Sequence, residues 1–247
     1  VSFNLSDRFQ HLQETFSNVE LGHVCAIGGS SSVGKTNVSK QLINDGTINE
    51  GPNHVSLFFT LEMSARDIYL REAMIESEEE DDGWVDVGKT KKAIMTSSEF
   101  RERVREQWSN IHMVTDAYDI DTIYSMYSIA KKAYAKRGIT VNNVIIDFYQ
   151  FLDKAHAIDQ QPIIAGKMKQ YSKKHDCRTF ILAQLNQNFP KNVEPDMTAI
   201  SGSQAFFNKC DKVLLGWDDG DSVVLKDTKP RWGKPGKFRL RRKGMKL

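Results

Sequence analysis

Val24-Cys25-Ala26-Ile27-Gly28-Gly29-Ser30-Ser31-Ser32-Val33-Gly34-Lys35-Thr36 is an apolar run that opens directly into the pattern G-x-x-x-x-G-K-[ST]. The placement of the pattern carries as much weight as the pattern. A phosphate-binding loop leaves a strand, turns its backbone N–H groups inward and enters a helix whose positive end faces the anion. Here Val38, Leu42 and Ile43 follow on one helical face, and Asn44-Asp45-Gly46 is expected to end the helix. Gly29, Ser30, Ser31, Ser32, Val33, Gly34, Lys35 and Thr36 therefore read as the cradle of a nucleoside triphosphate, with magnesium. A serine-rich surface loop is the competing reading, and the strand-loop-helix context weighs against it.

Outward from the loop, alternating strand and helix patterns indicate an α/β fold with a mostly parallel central sheet flanked by helices. Strands are expected at Val55 to Leu61, Ile111 to Val114, Val144 to Ile146 and Thr179 to Leu182, the last two short and almost wholly apolar as central parallel strands are. Helices are expected near Ala65 to Ile75, Ser98 to Trp108 and Ile163 to Lys174. Another, capped by Asp121, carries Ile123, Met126, Tyr127, Ala130 and Tyr134 on its apolar face and ends at Gly138. Beyond Asp211 strands recur with little helix between them, at 213–215, 222–225 and 237–240, which suits C-terminal antiparallel strands.

With 247 residues, of which 40 % are hydrophobic, the chain can bury a full core as one large domain. No run approaches the roughly 18 apolar residues of a membrane span, and the expected location is the cytoplasm. Cys25, Cys177 and Cys210 are odd in number and far apart, which favours reduced thiols over a disulfide framework. The net charge of +2 conceals a basic pole. From Lys226 to Leu247 ten Lys or Arg residues face the single acid Asp227, whereas Glu76 to Asp82 holds six acids in seven positions and reads as a mobile surface loop without chemistry.

Three strand ends supply what a triphosphate site needs beyond its loop. Asp147 closes Val144-Ile145-Ile146 and is placed to hold a magnesium shell while Thr36 offers its hydroxyl. Glu62 follows Phe58-Phe59-Thr60-Leu61 and suits orientation or deprotonation of an attacking water; an acid at a helix start is its plainer role. Gln184 ends Phe180-Ile181-Leu182-Ala183 with a neutral amide that can sense a γ-phosphate. All three fall at the carboxyl edge of the sheet, where open α/β folds place ligands.

These residues resemble the hexameric replicative DNA helicases of the DnaB type, built on a RecA-like P-loop NTPase core. Phe59-Thr60-Leu61-Glu62-Met63-Ser64 is similar to the family's F-S-L-E-M motif, Ile146 to Leu152 to its I-D-Y-L-Q-L segment, and Ala183 to Gln187 to its S-Q-L-N-R segment. Lys229-Pro230-Arg231-Trp232-Gly233-Lys234-Pro235-Gly236 resembles K-Q-R-x-G-x-x-G. The resemblance implies a lead-in segment over residues 1–22 and a motor domain over 23–247. It implies ATP and Mg2+ as ligands, Lys35 and Gln184 at the phosphates, Glu62 as catalytic base, Thr36 and Asp147 at the metal, and Lys229 and Arg231 reaching a neighbouring protomer's γ-phosphate.

It also implies a homo-oligomer, a hexameric ring around single-stranded DNA, with a primase or helicase loader as further partners. Ile200 to Ala205 occupies the family's DNA-binding loop, which places Ser201, Gly202, Ser203 and Gln204 at the track. The family's usual Arg is here Ser201, so Lys191 and Lys209 are candidate phosphate contacts in its stead. Phe206 and Phe207 could stack on bases, with core packing the plainer role. A RecA-like recombinase or clock-type ATPase would share the loop, Glu62 and Asp147. A nucleotide-switched loader or regulatory subunit would need no hydrolytic set.

Overall fold

The structure is a computed structural model that describes residues 3–30, 33–78, 86–153, 157, 159–186, 188–200, 204–230 and 235–241. Eight strands form a single sheet: β1 (Val24–Gly29), β2 (His54–Thr60), β3 (Ile111–Val114), β4 (Thr140–Asp147), β5 (Arg178–Gln184), β6 (Lys212–Asp218), β7 (Ser222–Asp227) and β8 (Lys237–Arg241). Their spatial order is β3-β2-β4-β5-β1-β6-β7-β8. The first six run parallel, and β7 and β8 are antiparallel. β1, the strand that feeds the phosphate loop, lies between β5 and β6, so its backbone is fixed from both sides.

Side chains alternate across the sheet and fill two cores. Ile27, Phe58, Ile145, Phe180 and Leu214 face one side, where α2 (Lys35–Glu50) lays down Val38, Leu42 and Ile43. Phe3, Phe9, Leu12 and Phe16, from the start of the chain and α1 (Gln10–Phe16), join this core. Phe59, Ile146, Ile181 and Val213 face the other side, against Ile123 and Tyr127 of α6 (Ile120–Ala135), Met168 of α7 (Gln161–Lys174) and Phe206 and Phe207 of the short α8 (Gln204–Phe207). Both phenylalanines of α8 are fully buried, so core packing is their role.

Several boundaries differ from the pattern-based expectation. α2 does not stop at Asn44-Asp45-Gly46 but runs on to Glu50. Gly46 is required inside it, because a Cβ there would meet the Phe3 ring at 2.1 Å, and Asp45 accepts from both N and Oγ of Ser6. The helix ends at Gly51, whose φ of 135° suits only glycine. The cap of α6 is Asp119, which accepts from Thr122 N at 2.8 Å; Asp121 is bonded instead to Lys167 and Tyr171 of α7.

The acidic run is in part structural. α3 (Ala65–Glu78) runs into its first residues, and buried Glu76 accepts from Arg103 at 2.8 Å and Gln107 at 2.6 Å; residues 79–82 lie outside the described residues. α4 (Val87–Thr96), absent from the pattern reading, is capped by Asp86 and packs with α3 and α5 (Ser98–Glu106) around Ala73, Phe100 and Val104.

Candidate nucleotide site

The carboxyl ends of β1, β2, β4 and β5 converge on the phosphate loop. Gly34 enters α2 with φ 88°, the left-handed turn that glycine makes without strain. Gly29 is pressed on both sides, since a Cβ would sit 3.1 Å from Lys35 Cγ and 3.2 Å from the Gly216 carbonyl. The Lys35 ammonium donates to the Ser30 carbonyl at 2.8 Å, folding back along the loop. Burial pulls this ammonium down to about 8, with Asp147 and Glu62 opposing and Arg71 reinforcing the shift.

Thr36 Oγ1 donates to Asp147 Oδ2 at 2.9 Å, bringing the two expected magnesium residues together. Burial pushes the Asp147 carboxyl up to about 6, the Thr36 hydrogen bond pulls it down, Glu62 raises it, and Lys35 and Arg71 lower it. A hydroxyl and a carboxylate facing each other are the hard oxygen donors that magnesium takes. In the same loop the Ser30 hydroxyl is buried without a hydrogen-bond partner among the described residues, a donor left for an anion. Residues and chemistry thus fit a magnesium-nucleotide.

Glu62 lies one residue beyond Leu61, whose N–H donates to the Asp147 carbonyl at 2.8 Å. It is exposed, and its charge acts on both Lys35 and Asp147. Gln184 stands level with Gly29 in the pairing of β1 with β5. Its backbone is held at both polar atoms by the Gln150 amide: Gln150 Nε2 donates to its carbonyl at 2.9 Å, and its N–H donates to Gln150 Oε1 at 3.1 Å. Loop, Thr36, Asp147, Glu62 and Gln184 therefore form one constellation.

Lys229 is not part of it within this protomer. Thr228 N donates to the Val213 carbonyl, and Val213 is level with Ala26, three residues below Gly29, or about 10 Å along the sheet. Lys229 continues away from the loop. Its ammonium donates to the carbonyls of Phe207, Asn208 and Cys210 at 3.2, 2.6 and 2.6 Å. Lys191 and Lys209 are exposed. Ser31, Ser32, Ser201, Gly202, Ser203 and Arg231, and the side chain of Gln204, lie outside what the structure describes.

Two participants escape a reading of the sequence. Gln150 lies inside the segment similar to I-D-Y-L-Q-L, yet its clamp on Gln184 depends on β4 and β5 being neighbours, which no local pattern shows. Arg71 on α3, nine residues past Glu62, acts on the site through its charge on Lys35 and Asp147, a relation that no local pattern shows. Among the described residues no helix is long and apolar enough to cross a membrane, and no group of three or more His, Cys, Asp or Glu could hold a metal by itself.

Residues 4–235 match the family model of the DnaB-like helicase C-terminal domain. The fold is similar to a solved ATPase domain, with TM-score 0.77, 19 % identity, and 97 % of this chain and 89 % of that chain covered. It is also similar to a DnaB-like replicative helicase described with its interactions with primase, with TM-score 0.74, 20 % identity, and 92 % of this chain and 57 % of that chain covered. No curated protein sequence matches the chain.

Proposed function

The chain belongs to the DnaB-like helicase C-terminal domain family, and from that premise we propose that it hydrolyses ATP at subunit interfaces of a ring, probing γ-phosphate state to move along single-stranded DNA and unwind duplex. The observation that carries this reading is the meeting of Thr36 with Asp147, whose carboxylate feels the charges of Lys35 and Glu62, while Lys229 sits at the other edge of its own sheet. One protomer supplies the loop, the carboxylates and Gln184. The finger at Lys229 and Arg231 belongs to the next protomer's site.

Lys35 and the loop N–H groups hold the β- and γ-phosphates of the substrate, and Ser30 adds a hydroxyl. Thr36 and Asp147 would hold a magnesium ion, which would supply positive charge to neutralise the substrate's phosphates. Glu62 takes a proton from the attacking water as its oxygen bonds to the γ-phosphorus and the bond to the ADP oxygen breaks. Arg231, together with Lys229 once its ammonium leaves the carbonyls of Phe207, Asn208 and Cys210, stabilises the charge that develops; such a finger is worth roughly 10³ to 10⁵ in rate in related chemistry, so isolated protomers hydrolyse slowly. Recombinase and clock-type readings share Lys35, Glu62 and Asp147, and the family match favours the helicase motor.

ATP hydrolysis and forked-duplex unwinding of wild type and Glu62→Gln, with and without single-stranded DNA, test the proposal. Hydrolysis that DNA stimulates and Glu62→Gln abolishes is expected. Persistence in Glu62→Gln, or indifference to DNA, rejects it.

A further inference from the structure

The segment that carries Lys229 is tied down in an unusual way. Lys212 of β6 and Asp227 of β7 form an ion pair at 2.7 Å, and each side chain is 1 % exposed. A buried pair of this kind seldom stabilises a fold more than apolar residues of the same shape, so its presence calls for another role. Asp227 has a second function: its Oδ1 accepts from the Lys229 backbone N–H at 3.1 Å. One carboxylate is thus locked by Lys212 through Oδ2 and fixes the start of the finger through Oδ1.

Further contacts bind the same stretch to the chain that leads toward and away from 201–203. Lys226 reaches Glu194 at 2.5 Å, Thr228 Oγ1 reaches Met197 Sδ at 3.6 Å, and the Lys229 ammonium rests on the three carbonyls at the end of α8. α8 packs Phe206 against Tyr149 at 4.2 Å between centroids, just past Asp147, and Ile200 bridges Leu185, whose N–H donates to the Gly29 carbonyl. Ile200 thus lies beside the protomer's own phosphate loop, and α8 and the residues up to Cys210 lie beside Lys229.

We propose that Asp227, locked by Lys212, is a positioning residue for the finger: it sets the Lys229 backbone in register with α8, so that each protomer presents its finger to the neighbour from a frame anchored near its own nucleotide site. The inference rests on the shared-site reading. Asp227 touches no substrate; it acts through Lys229. Its loss therefore damages the site formed with the next protomer and leaves the protomer's own loop, Thr36 and Asp147 intact.

Mixed-ring ATPase measurements test it. Asp227→Asn rings should hydrolyse ATP with kcat lower by about ten- to a hundredfold, the scale of a misplaced catalytic group, and with KM for ATP within about twofold of wild type. Mixed with Lys35→Ala protomers, which lack a working loop but carry an intact finger, Asp227→Asn protomers should exceed the sum of the separate activities. Mixed with Arg231→Ala protomers, which are damaged on the same side, they should not. The double variant Lys212→Met/Asp227→Leu keeps the site filled by apolar groups and should behave in the same way at an unchanged melting temperature, which separates positioning from loss of fold. Recovery with Arg231→Ala, failure with Lys35→Ala, or full activity of the double variant overturns the inference. The control mixture of Lys35→Ala with Arg231→Ala reports on the shared site itself: if that pair fails to recover, the shared-site reading falls, and this inference with it.

Discussion

Thr36 Oγ1 donates to Asp147 Oδ2 across 2.9 Å, joining residues 111 apart in the chain at the point where β1 and β4 deliver their carboxyl ends to one loop. β5 lies between those two strands, so the contact depends on the crossover order of the sheet. Among the described residues the side-chain donor to Asp147 is the neutral Thr36 hydroxyl, and that leaves this almost wholly buried carboxylate short of charge compensation.

The deficit should appear as a pH dependence of stability in metal-free protein. An unfolded aspartate ionises near 3.8 and Asp147 in the fold near 6, so between those values the folded chain retains a proton that the unfolded chain has lost. Stability then falls as pH rises through that window and levels off above it, by about 3 kcal/mol for a shift of about two units. Asp147→Asn lacks the titration. Denaturant unfolding in a chelator at pH 4 and pH 7 should show the variant gaining about 2.4 kcal/mol on wild type between the two, since a little of the loss has already occurred at pH 4; a constant difference rejects the assignment.

Lys40 and Glu72 form another deeply buried pair, joining α2 to α3, with Lys40 also 5.3 Å from the Trp108 ring centroid. Glu72→Ala should cost about 3 to 5 kcal/mol, because it removes the carboxylate that balances a buried ammonium. Lys40→Met/Glu72→Met should lie within about 1 kcal/mol of wild type. Equal losses in the single and double variants, measured by urea unfolding, would mean that packing and not charge dominates there.

Gln150→Ala removes both hydrogen bonds that hold the Gln184 backbone. Unfolding free energy should drop by about 1 to 3 kcal/mol. The fluorescent-nucleotide dissociation constant should stay within about twofold, since Lys35 and Thr36 are untouched, while DNA-stimulated kcat falls as Gln184 loses its register with Gly29. A weakened dissociation constant with unchanged kcat contradicts that division of labour.

What the sequence made legible follows from how local each signal is. The phosphate loop, Glu62, Asp147 and Gln184 were readable because buried parallel strands are short apolar runs and their ends are marked by a change to polar residues. The length of α2 was not, because Gly46 breaks helices unless something like the Phe3 ring needs its missing Cβ. α4 was not, because Lys89, Lys91 and Lys92 face solvent and leave few apolar positions to show a period. The roles of Gln150, Arg71 and Asp227 depend on the neighbours that the strand order β3-β2-β4-β5-β1-β6-β7-β8 gives them, and no window of sequence contains that order.

Arg71 shows what such a hidden neighbour does. It is half-buried on α3, nine residues past Glu62, and its charge lowers the protonation range of both Lys35 and Asp147. A cation felt by both groups lies within reach of the charge that gathers on the γ-phosphate during hydrolysis, and its field is stronger where water is excluded. The Lys40–Glu72 pair, adjacent to it in sequence, holds α3 against α2 and so fixes its distance from the loop. Arg71→Ala should lower kcat about tenfold or more with little change in melting temperature, and Arg71→Lys should recover part of the rate. Steady-state ATPase assays on the three proteins decide it: equal kcat in wild type and Arg71→Ala would show that the guanidinium serves the surface and not the site.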